Sequence, residues 1–292
     1  MSAAVLSVTV EPLSVGRRAC ARRRVALQPP RCRIPTDRAG GGRTVCTVVV
    51  SVAPGTEWPV VFLGLRDESA DRPWDPPAAW WPELGDRVEG LHDREAGGAW
   101  LATATGPARA SVVLNRREQP PVPYGGWRTR GDLPLEAAAA GRLPTGRPGT
   151  RTFNLLSADA CGAVHTSWDG DRLESVPLAP GVHVLTHGAP DDDQVARVAR
   201  WLPSFRGVAA PTGPLPAHDE GSWRPWLDLL RESSALPLSD EEALVRADLL
   251  QGTWFGSLSL SLVALSADRV LHEHLRLDAG SGVDLPGALA AR

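Results

Sequence analysis

VCTVVVSV at residues 45–52 and VVFLGLRDE at residues 60–68 are the two runs that decide the fold. Both are rich in β-branched residues, which favour strands. APGTEWP at residues 53–59 lies between them and has the composition of a turn. The sequence therefore predicts a β-hairpin that brings Arg66 and Asp67 close to Cys46, where the first strand begins. A cysteine beside an arginine and a carboxylate is a candidate nucleophile with charged partners.

Composition excludes several classes of protein. The chain has 292 residues, 42% of them hydrophobic, which is enough for one large domain or two small ones. No window approaches the roughly 18 apolar residues of a membrane span. The four cysteines form no CxxC pair, which indicates a reducing compartment and predicts a cytoplasmic protein. All 31 basic residues are arginine, which indicates a GC-rich genome. The chain has eleven tryptophans, several of which could line an apolar pocket, although core packing is the simpler explanation for any single one.

Residues 1–45 differ from the rest of the chain in charge. They carry nine arginines and two acids, a net charge of +7, whereas residues 46–292 have a net charge of −10. Little periodicity accompanies the arginines, so this segment is predicted to be a disordered extension, and residues 46–292 are predicted to be one domain. A transit peptide, a basic arm for nucleic acid and a wrongly assigned start are three explanations of the extension.

The third explanation has a specific basis in the codons. Valine codons include GUG, a common bacterial initiator, and a start at Val45 would give Met-Cys-Thr-Val. Removal of that methionine would leave Cys46 as the first residue. The acidic body of the chain argues against a nucleic-acid partner.

The Pro- and Trp-rich segment at residues 71–82 is predicted to be a loop, because its four prolines disfavour the interior of a strand or helix. Trp74, Trp80 and Trp81 in this loop are candidates for a lid or pocket wall. A packed surface loop is the alternative explanation.

The remainder of the chain predicts strands, then helices, then strands. The pattern favours antiparallel sheets in an α+β fold, since there is no βαβ alternation and no glycine-rich phosphate loop. Two of the predicted helices begin at acidic or capping residues, namely the acids at 191–193 and the capping box that starts at Ser239. Predicted strands are two around residues 96–115, and 152–158, 162–168, 172–177, 182–187, 257–265 and 269–277; predicted helices are 134–141, 191–202, 223–233 and 240–250.

A set of short motifs along residues 45–292 resembles the NRDE family, the family of transport and Golgi organisation protein 2. Any one of them is weak, but their order and spacing together are fairly specific. The motifs are Val45-Cys46, Leu65-Arg66-Asp67-Glu68, Arg72-Pro73, Gly97-Gly98-Ala99-Trp100-Leu101, Leu114-Asn115 and Thr129-Arg130-Gly131.

That family in turn resembles the N-terminal nucleophile hydrolases, which implies a four-layer αββα sandwich. By this resemblance Cys46 is the nucleophile and its own α-amine the base, which suits an amine that titrates near pH 7.7–8.0. Asp67 and Arg66 would position the ammonium and the substrate, and Asn115 would contribute to an oxyanion hole. The three tryptophans of the 71–82 segment and Arg130 would line the substrate side.

Three positions depart from the family patterns. Leu65 stands where the signature has asparagine, and His187 ends the strand that in the hydrolases ends in an oxyanion asparagine. Leu258 stands where an arginine is expected near the C-terminus. A histidine can still donate a hydrogen bond to an oxyanion, so His187 remains a candidate catalytic residue.

Two other constellations compete with the cysteine site. His272 and His274 share a face of the last predicted strand, but a metal needs at least three ligands, so solvent-facing positions are favoured over a metal site. Cys161 and His165 could form a thiol–imidazole pair, although a buried small residue is the simpler interpretation of Cys161. The sequence therefore predicts neither a metal nor a cofactor.

Two functions follow from the sequence and the resemblance. The first is a cysteine amidohydrolase or acyltransferase that acts on a small acylated substrate. The second is a carrier or chaperone without catalysis, which uses the same cleft for haem or an acyl lipid, as proposed for eukaryotic relatives. Both require a small-molecule acyl or haem-like ligand, and neither requires nucleic acid or a membrane span.

Overall fold

A computed structural model describes residues 45–118, 120–216, 219–250 and 252–277. The arginine-rich extension that was predicted to be disordered lies, apart from Val45, outside these residues. No helix in the described ranges is long and apolar enough to cross a membrane.

The described residues form two antiparallel sheets. The first has six strands in the order β10-β1-β2-β12-β11, with β13 also paired to β12, and the second is a seven-stranded meander from β3 to β9. The strands are β1 (Thr47–Val52), β2 (Val60–Ser69), β3 (Trp74–Ala78), β4 (Val88–Asp93), β5 (Ala99–Ala104), β6 (Arg109–Asn115), β7 (Phe153–Asp159), β8 (Gly162–Trp168), β9 (Leu173–Pro177), β10 (Gly181–Leu185), β11 (Ala247–Leu250), β12 (Thr253–Leu265) and β13 (Val270–Arg276). The helices are α1 (Asp132–Ala140), α2 (Ala196–Gly207) and α3 (Arg224–Ser233), with short 3-10 turns at Pro82–Leu84 and Gly221–Trp223.

The central hairpin of the first sheet is buried on both faces. Val48 and Val50 of β1 pack in the core shared with the second sheet, whereas Val49 packs with Trp201 and Phe205 of α2. Successive side chains of a strand point to opposite faces, so one run of valines supplies both cores. This explains why the 45–52 run is apolar at nearly every position instead of alternating.

Helix α1 covers the outer face of the second sheet, where Leu135 and Ala138 pack with Ala102 of β5. The layers are therefore α2 and α3, the six-stranded sheet, the seven-stranded sheet, and α1. This confirms the predicted α+β fold as a four-layer αββα sandwich.

Two glycines of the family motifs touch each other. A Cβ added at Gly98 would lie 2.5 Å from the carbonyl carbon of Gly131, and one added at Gly131 would lie 2.8 Å from Gly98. The backbone N–H of Ala99 donates to the carbonyl oxygen of Gly131 over 2.9 Å. Glycine is needed at both positions because the start of α1 lies directly on the start of β5.

The 71–82 segment was predicted to be a loop, but the structure differs in part. Residues 74–78 form strand β3. This strand lies at the edge of the seven-stranded sheet and its pairing with β4 is interrupted between Asp75 and Ala78. Pro76 and Pro77 fall within that interruption. An edge strand tolerates proline because one side has no ladder partner, so the argument against a strand failed here. Strand β4 was not predicted.

The predicted helix at 191–202 begins later than expected, at Ala196. The carboxylate of Asp191 accepts hydrogen bonds from the backbone N–H of Val184 and from His183 instead of capping a helix. Its backbone has a φ of 61°. The acidic run therefore fastens the end of β10, which is a tertiary role that helix capping patterns do not reveal.

The predicted helix at 240–250 is wrong. Asp240 begins a turn in which its side chain accepts the N–H of Glu242, and residues 247–250 form β11. Trp201 donates its indole N–H to the carbonyl oxygen of Glu242 over 2.6 Å. Packing of three consecutive residues, 243–245, into the core overrode the capping-box pattern at Ser239.

Candidate active site

Cys46 lies immediately before β1, opposite the Arg66–Asp67 end of β2. Thr47 pairs with Leu65 in the hairpin, and the Cys46 thiol donates a long hydrogen bond of 3.5 Å to the backbone oxygen of Asp67. The thiol side chain is buried in the core between the sheets. The hairpin register alone therefore brings together the three residues that the sequence proposed as a unit.

The Asp67 carboxylate is fully buried and has two side-chain partners. Ser257 of β12 donates to one oxygen over 2.7 Å, and Arg197 of α2 donates to the other over 3.4 Å. Burial raises the pKa of Asp67, although Arg197 and Ser257 act in the opposite direction. Neither partner was predicted from the sequence, since they lie 130 and 190 residues away and no motif marks them.

Arg197 joins the carboxylate to the backbone on the N-terminal side of Cys46. Its Nη1 donates to the carbonyl oxygen of Val45 over 2.9 Å and to the hydroxyl of Thr47 over 3.0 Å. The guanidinium is nearly inaccessible to solvent, at 3% exposure. The buried guanidinium of Arg197 thus bonds both to the peptide group between Val45 and Cys46 and to the carboxylate of Asp67.

The environment of the thiol favours its protonated form. Burial and the nearby Asp67 raise the pKa of Cys46 to about 12, although Arg66 acts to lower it. A thiol with this pKa carries almost no thiolate at neutral pH. Attack by Cys46 therefore requires a base close to the sulfur.

Arg66 faces the second sheet from the end of β2. Its Nη2 lies 3.8 Å from carboxylate oxygens of Glu68 and Asp93, and its guanidinium carbon lies 5.9 Å from the ring centre of Trp74. Its Nη1 is buried and, among the described residues, has no hydrogen-bond partner. Arg66 therefore has a donor to spare for another molecule.

His187 lies just beyond β10, whose Leu185 pairs with Val48. Burial and the cations Arg117 and Arg197 lower the pKa of His187 to about 4, so the imidazole is neutral near pH 7. Its Nδ1 is buried and has no partner in the described ranges. A neutral imidazole at this strand end can donate one hydrogen bond, as the oxyanion interpretation requires.

An asparagine missed by the sequence analysis holds the backbone around His187. The side-chain amide of Asn154, fully buried on β7, donates to the carbonyl oxygens of Thr186 and Gly188 over 2.8 and 2.6 Å. Its Oδ1 lies 3.1 Å from Arg116 Nη1 and 3.1 Å from Nε2 of His165. Asn154 therefore positions the end of β10. Its role becomes visible only when the positions of β7 and β10 relative to each other are known.

The remaining candidate residues lie elsewhere. Asn115 ends β6 with an exposed side chain, and Arg130 donates to the carbonyl oxygen of Thr152 over 3.1 Å. Trp81 packs in the outer core beneath α1, and Trp80 is 41% exposed and stacks on His92. Trp74 alone of the three tryptophans lies beside Arg66.

His272 and His274 were expected to face solvent. In the structure they face the other sheet, where Trp74 contacts His274. The nitrogens of His272 and Nε2 of His274 are buried and lack hydrogen-bond partners in the part of the chain described here. Within that part, no three His, Cys, Asp or Glu side chains are placed to hold a metal ion. Cys161 is exposed and His165 is buried.

The fold and the site define an αββα sandwich with a cysteine and an aspartate paired at one end of its central hairpin. A family model described as Transport and Golgi organisation 2 matches residues 45–237. The chain belongs to that family, in agreement with the resemblance drawn from its motifs. A search of curated proteins found no match.

Proposed function

We propose that the protein is a cysteine-dependent amidohydrolase or acyltransferase, with Cys46 as the nucleophile. The observation that supports this most directly is the buried cluster around Cys46. In it Arg197 donates both to the carbonyl oxygen of Val45 and to the Asp67 carboxylate, and the Cys46 thiol donates to the backbone oxygen of Asp67. Purely structural cysteines do not require a carboxylate and a guanidinium arranged around their own backbone. The proposed site therefore consists of Cys46, Asp67 and Arg197, with Ser257 supporting the carboxylate.

The raised pKa of Cys46 defines what the site needs in order to react. If cleavage or an alternative start makes Cys46 the first residue, its α-amine lies two bonds from the carbon that bears the sulfur. This amine has an ordinary pKa of about 7.7–8.0, so part of it is neutral and can accept the thiol proton. Asp67 would then accept a hydrogen bond from the resulting ammonium.

The reaction proceeds in two steps. The sulfur attacks the acyl carbonyl carbon, the C–N bond breaks, and the departing amine takes the proton held by the α-ammonium, which leaves a thioester on Cys46. Water then attacks the thioester to release the acid, or a second amine attacks it in acyl transfer. His187 contributes a hydrogen bond to the oxyanion in both steps.

The test compares the full chain with a protein that starts at Cys46 after removal of its initiator methionine. Both are incubated with a panel of fluorogenic N-acyl amides and acyl thioesters, and intact mass detects an acyl-enzyme. We expect turnover only from the protein that starts at Cys46 and none from its Cys46→Ala variant. Cys161→Ala is the matched control, since that cysteine is exposed and should be dispensable. Full activity in Cys46→Ala would refute the proposal.

A second function has one observation in its favour, namely that the thiol in the extended chain is buried and strongly protonated. A site of this kind could serve a carrier of haem or an acyl lipid without any chemistry at sulfur. Quenching of tryptophan fluorescence by haem or acyl-CoA, equal in Cys46→Ala, would support the carrier. A cytoplasmic location is proposed for either function, from the low cysteine content.

A further inference from the structure

The six-stranded sheet has a polar region on the face that packs against the other sheet. On β2, Gly64 and Arg66 are on this face, and on β12 their pairing partners are Ser261 and Ser259. All four lie between the two sheets in the interior of the sandwich. Towards one end of these strands the same face is bulky and apolar, at Val60, Phe62, Val263 and Leu265. Towards the other end β2 carries Glu68, whose carboxylate lies 3.8 Å from Nη2 of Arg66.

Strand β13 continues this polar region. Ser261 pairs with His274, and the imidazole of His272 lies one position further along the same face, with 6.1 Å between the two ring centres. Trp74 of the opposite sheet lies edge-on to His274 at 5.5 Å. Trp100 covers Gly64, where an added Cβ would come within 3.0 Å of the indole.

Several of these side chains are buried without a hydrogen-bond partner. Among the described residues this holds for five side chains, which we call the inter-sheet cluster: Arg66 (Nη1), Trp100 (Nε1), Ser259 (Oγ), His272 (Nδ1 and Nε2) and His274 (Nε2). Three of them are less than a tenth exposed: Arg66 at 4%, Trp100 at 8% and Ser259 at 0%. Buried polar atoms are nearly always hydrogen-bonded, so this concentration indicates a missing partner.

The chemistry of the cluster indicates an acceptor with negative charge. Guanidinium and indole N–H groups only donate, so donors outnumber acceptors. Burial is the main cause that lowers the pKa of His274 to about 4, and Arg276 and Arg66 add to it, so this imidazole is neutral near pH 7 and brings no positive charge of its own. The carboxylates nearest Arg66 are 3.8 Å from Nη2, beyond normal hydrogen-bond length.

We propose that the inter-sheet cluster is a binding site for a small carboxylate. Its oxygens accept hydrogen bonds from the unpartnered donors, and its body lies against the ring of Trp74. Among the described strands β13 pairs only with β12, which places the cluster beside an edge strand of the six-stranded sheet. The exposed Arg276 on this strand lies 4.9 Å from the ring centre of Trp74. The site does not depend on sulfur chemistry at Cys46.

Benzoate, with acetate as a smaller probe, tests the proposal on the full chain. The eleven indole N–H groups are observed by ¹⁵N NMR, and the Trp100 signal is assigned with Trp100→Phe. We expect benzoate to shift the Trp100 signal saturably and neutral benzamide to bind at least about tenfold more weakly, since charge-assisted hydrogen bonds are the stronger kind. Cys46→Ala should bind benzoate as the unmodified chain does.

Two variants and a control locate the site. Ser259→Val replaces a buried hydroxyl of the cluster with an apolar side chain that favours a strand, and Arg66→Gln removes the positive charge. Each variant should weaken benzoate binding about tenfold or more. Glu273→Gln is the control, because its side chain is on the opposite face of β13, and it should change affinity less than about twofold.

Three results would overturn the proposal. These are no saturable shift with either acid, benzamide binding as tightly as benzoate, and Glu273→Gln weakening binding as much as Ser259→Val does. A crystal structure that shows only ordered water on these atoms at saturating benzoate would have the same consequence. A protein that starts at Cys46, binds benzoate and hydrolyses none of the amides or thioesters would refute the proposed function and leave this site standing.

Discussion

Ser257 and Asp67 are direct partners on β12 and β2, and the serine hydroxyl donates to the buried carboxylate over 2.7 Å. The same hydroxyl oxygen accepts the backbone N–H of Arg246 over 3.1 Å. Two buried groups therefore depend on one serine, 190 residues from the aspartate in sequence. The carboxylate beside Cys46 is held by the far end of the chain.

Ser257→Ala should lower the free energy of unfolding by about 1–3 kcal/mol, because a buried acceptor and a buried donor each lose a partner. Urea denaturation measures the change. Ser259→Ala, equally buried on the same strand, is the control and should change stability by less than about 1 kcal/mol, since its hydroxyl has no partner among the described residues. Equal losses in both variants would contradict the assigned role of Ser257.

Arg197→Met should destabilise the protein by about 3–5 kcal/mol, because it leaves the Asp67 carboxylate buried without a cation. Adding Asp67→Asn should restore part of that loss. Arg200→Met, three residues along the same helix, removes an exposed ion pair with Glu242 and should cost no more than about 1 kcal/mol. Chemical denaturation of the unmodified protein, Arg197→Met, Asp67→Asn, the double variant and Arg200→Met gives the comparison. Additive effects of the Arg197 and Asp67 changes would argue against the pair.

Gly98→Ala should be strongly destabilising, by about 1–3 kcal/mol or more, because the new methyl group would meet the backbone of Gly131. The thermal midpoint reports the change. Gly207→Ala is the control, since an added Cβ there meets nothing within 4 Å and the residue ends α2. A fall in midpoint no larger for Gly98→Ala than for Gly207→Ala would mean that the two backbones can separate without loss.

His183→Gln should remove a contribution to stability that depends on pH. The hydrogen bond that His183 donates to Asp191 raises the pKa of His183, so this contribution is complete below the unfolded-state value near 6.5 and disappears as pH rises through the folded value. Burial acts to raise the pKa of Asp191, but the hydrogen bonds from His183 and Val184 outweigh burial, so the pKa is lowered. The contribution of Asp191 to stability is therefore lost when the pH falls through its folded-state pKa. The unfolding free energies of the two proteins should differ most between about pH 5 and 6.5, and should converge only when the pH has risen past the raised folded-state pKa of His183.

His272→Gln should have the opposite pH dependence. Burial and the neighbouring His274 lower the pKa of His272 to about 3, so the unfolded chain binds a proton that the folded chain does not as pH falls below about 6.5. The original protein should therefore lose stability faster than the variant between about pH 6.5 and 4. Parallel stability profiles over this range would show that His272 is not buried as a neutral group.

The sequence predicted most strands correctly because alternation and turn residues act locally. The hairpin of β1 and β2, the strands β5 to β9 and the final pair β12 and β13 follow from such patterns. It failed where a distant contact overrides a local signal. The capping box at Ser239 lost to the core packing of residues 243–245, and Asp191 bonds to β10 instead of capping a helix.

The candidate site divides in the same way. Cys46 and Asp67 were found because they lie on one hairpin, and a hairpin register is set by nearby residues. Arg197 could not be found, since an arginine on an amphipathic helix ordinarily faces water. Asn154 carries no local signal of its contact with the backbone at Thr186 and Gly188.

The sequence by itself determined antiparallel sheets in an α+β fold and the meeting of Cys46 with Asp67, because β-branched runs, turns and hairpin register depend on neighbours in the chain. The four-layer αββα arrangement was expected only from the resemblance to the N-terminal nucleophile hydrolases. Only the tertiary structure decided that Arg197 and Ser257 complete the site and that the two histidines of β13 point inward. Alternation along β13 separates Leu275 from His274 but does not say which face is covered. The helices cover one face of β13 and the second sheet the other, so the direction of each side chain depends on the assembled layers.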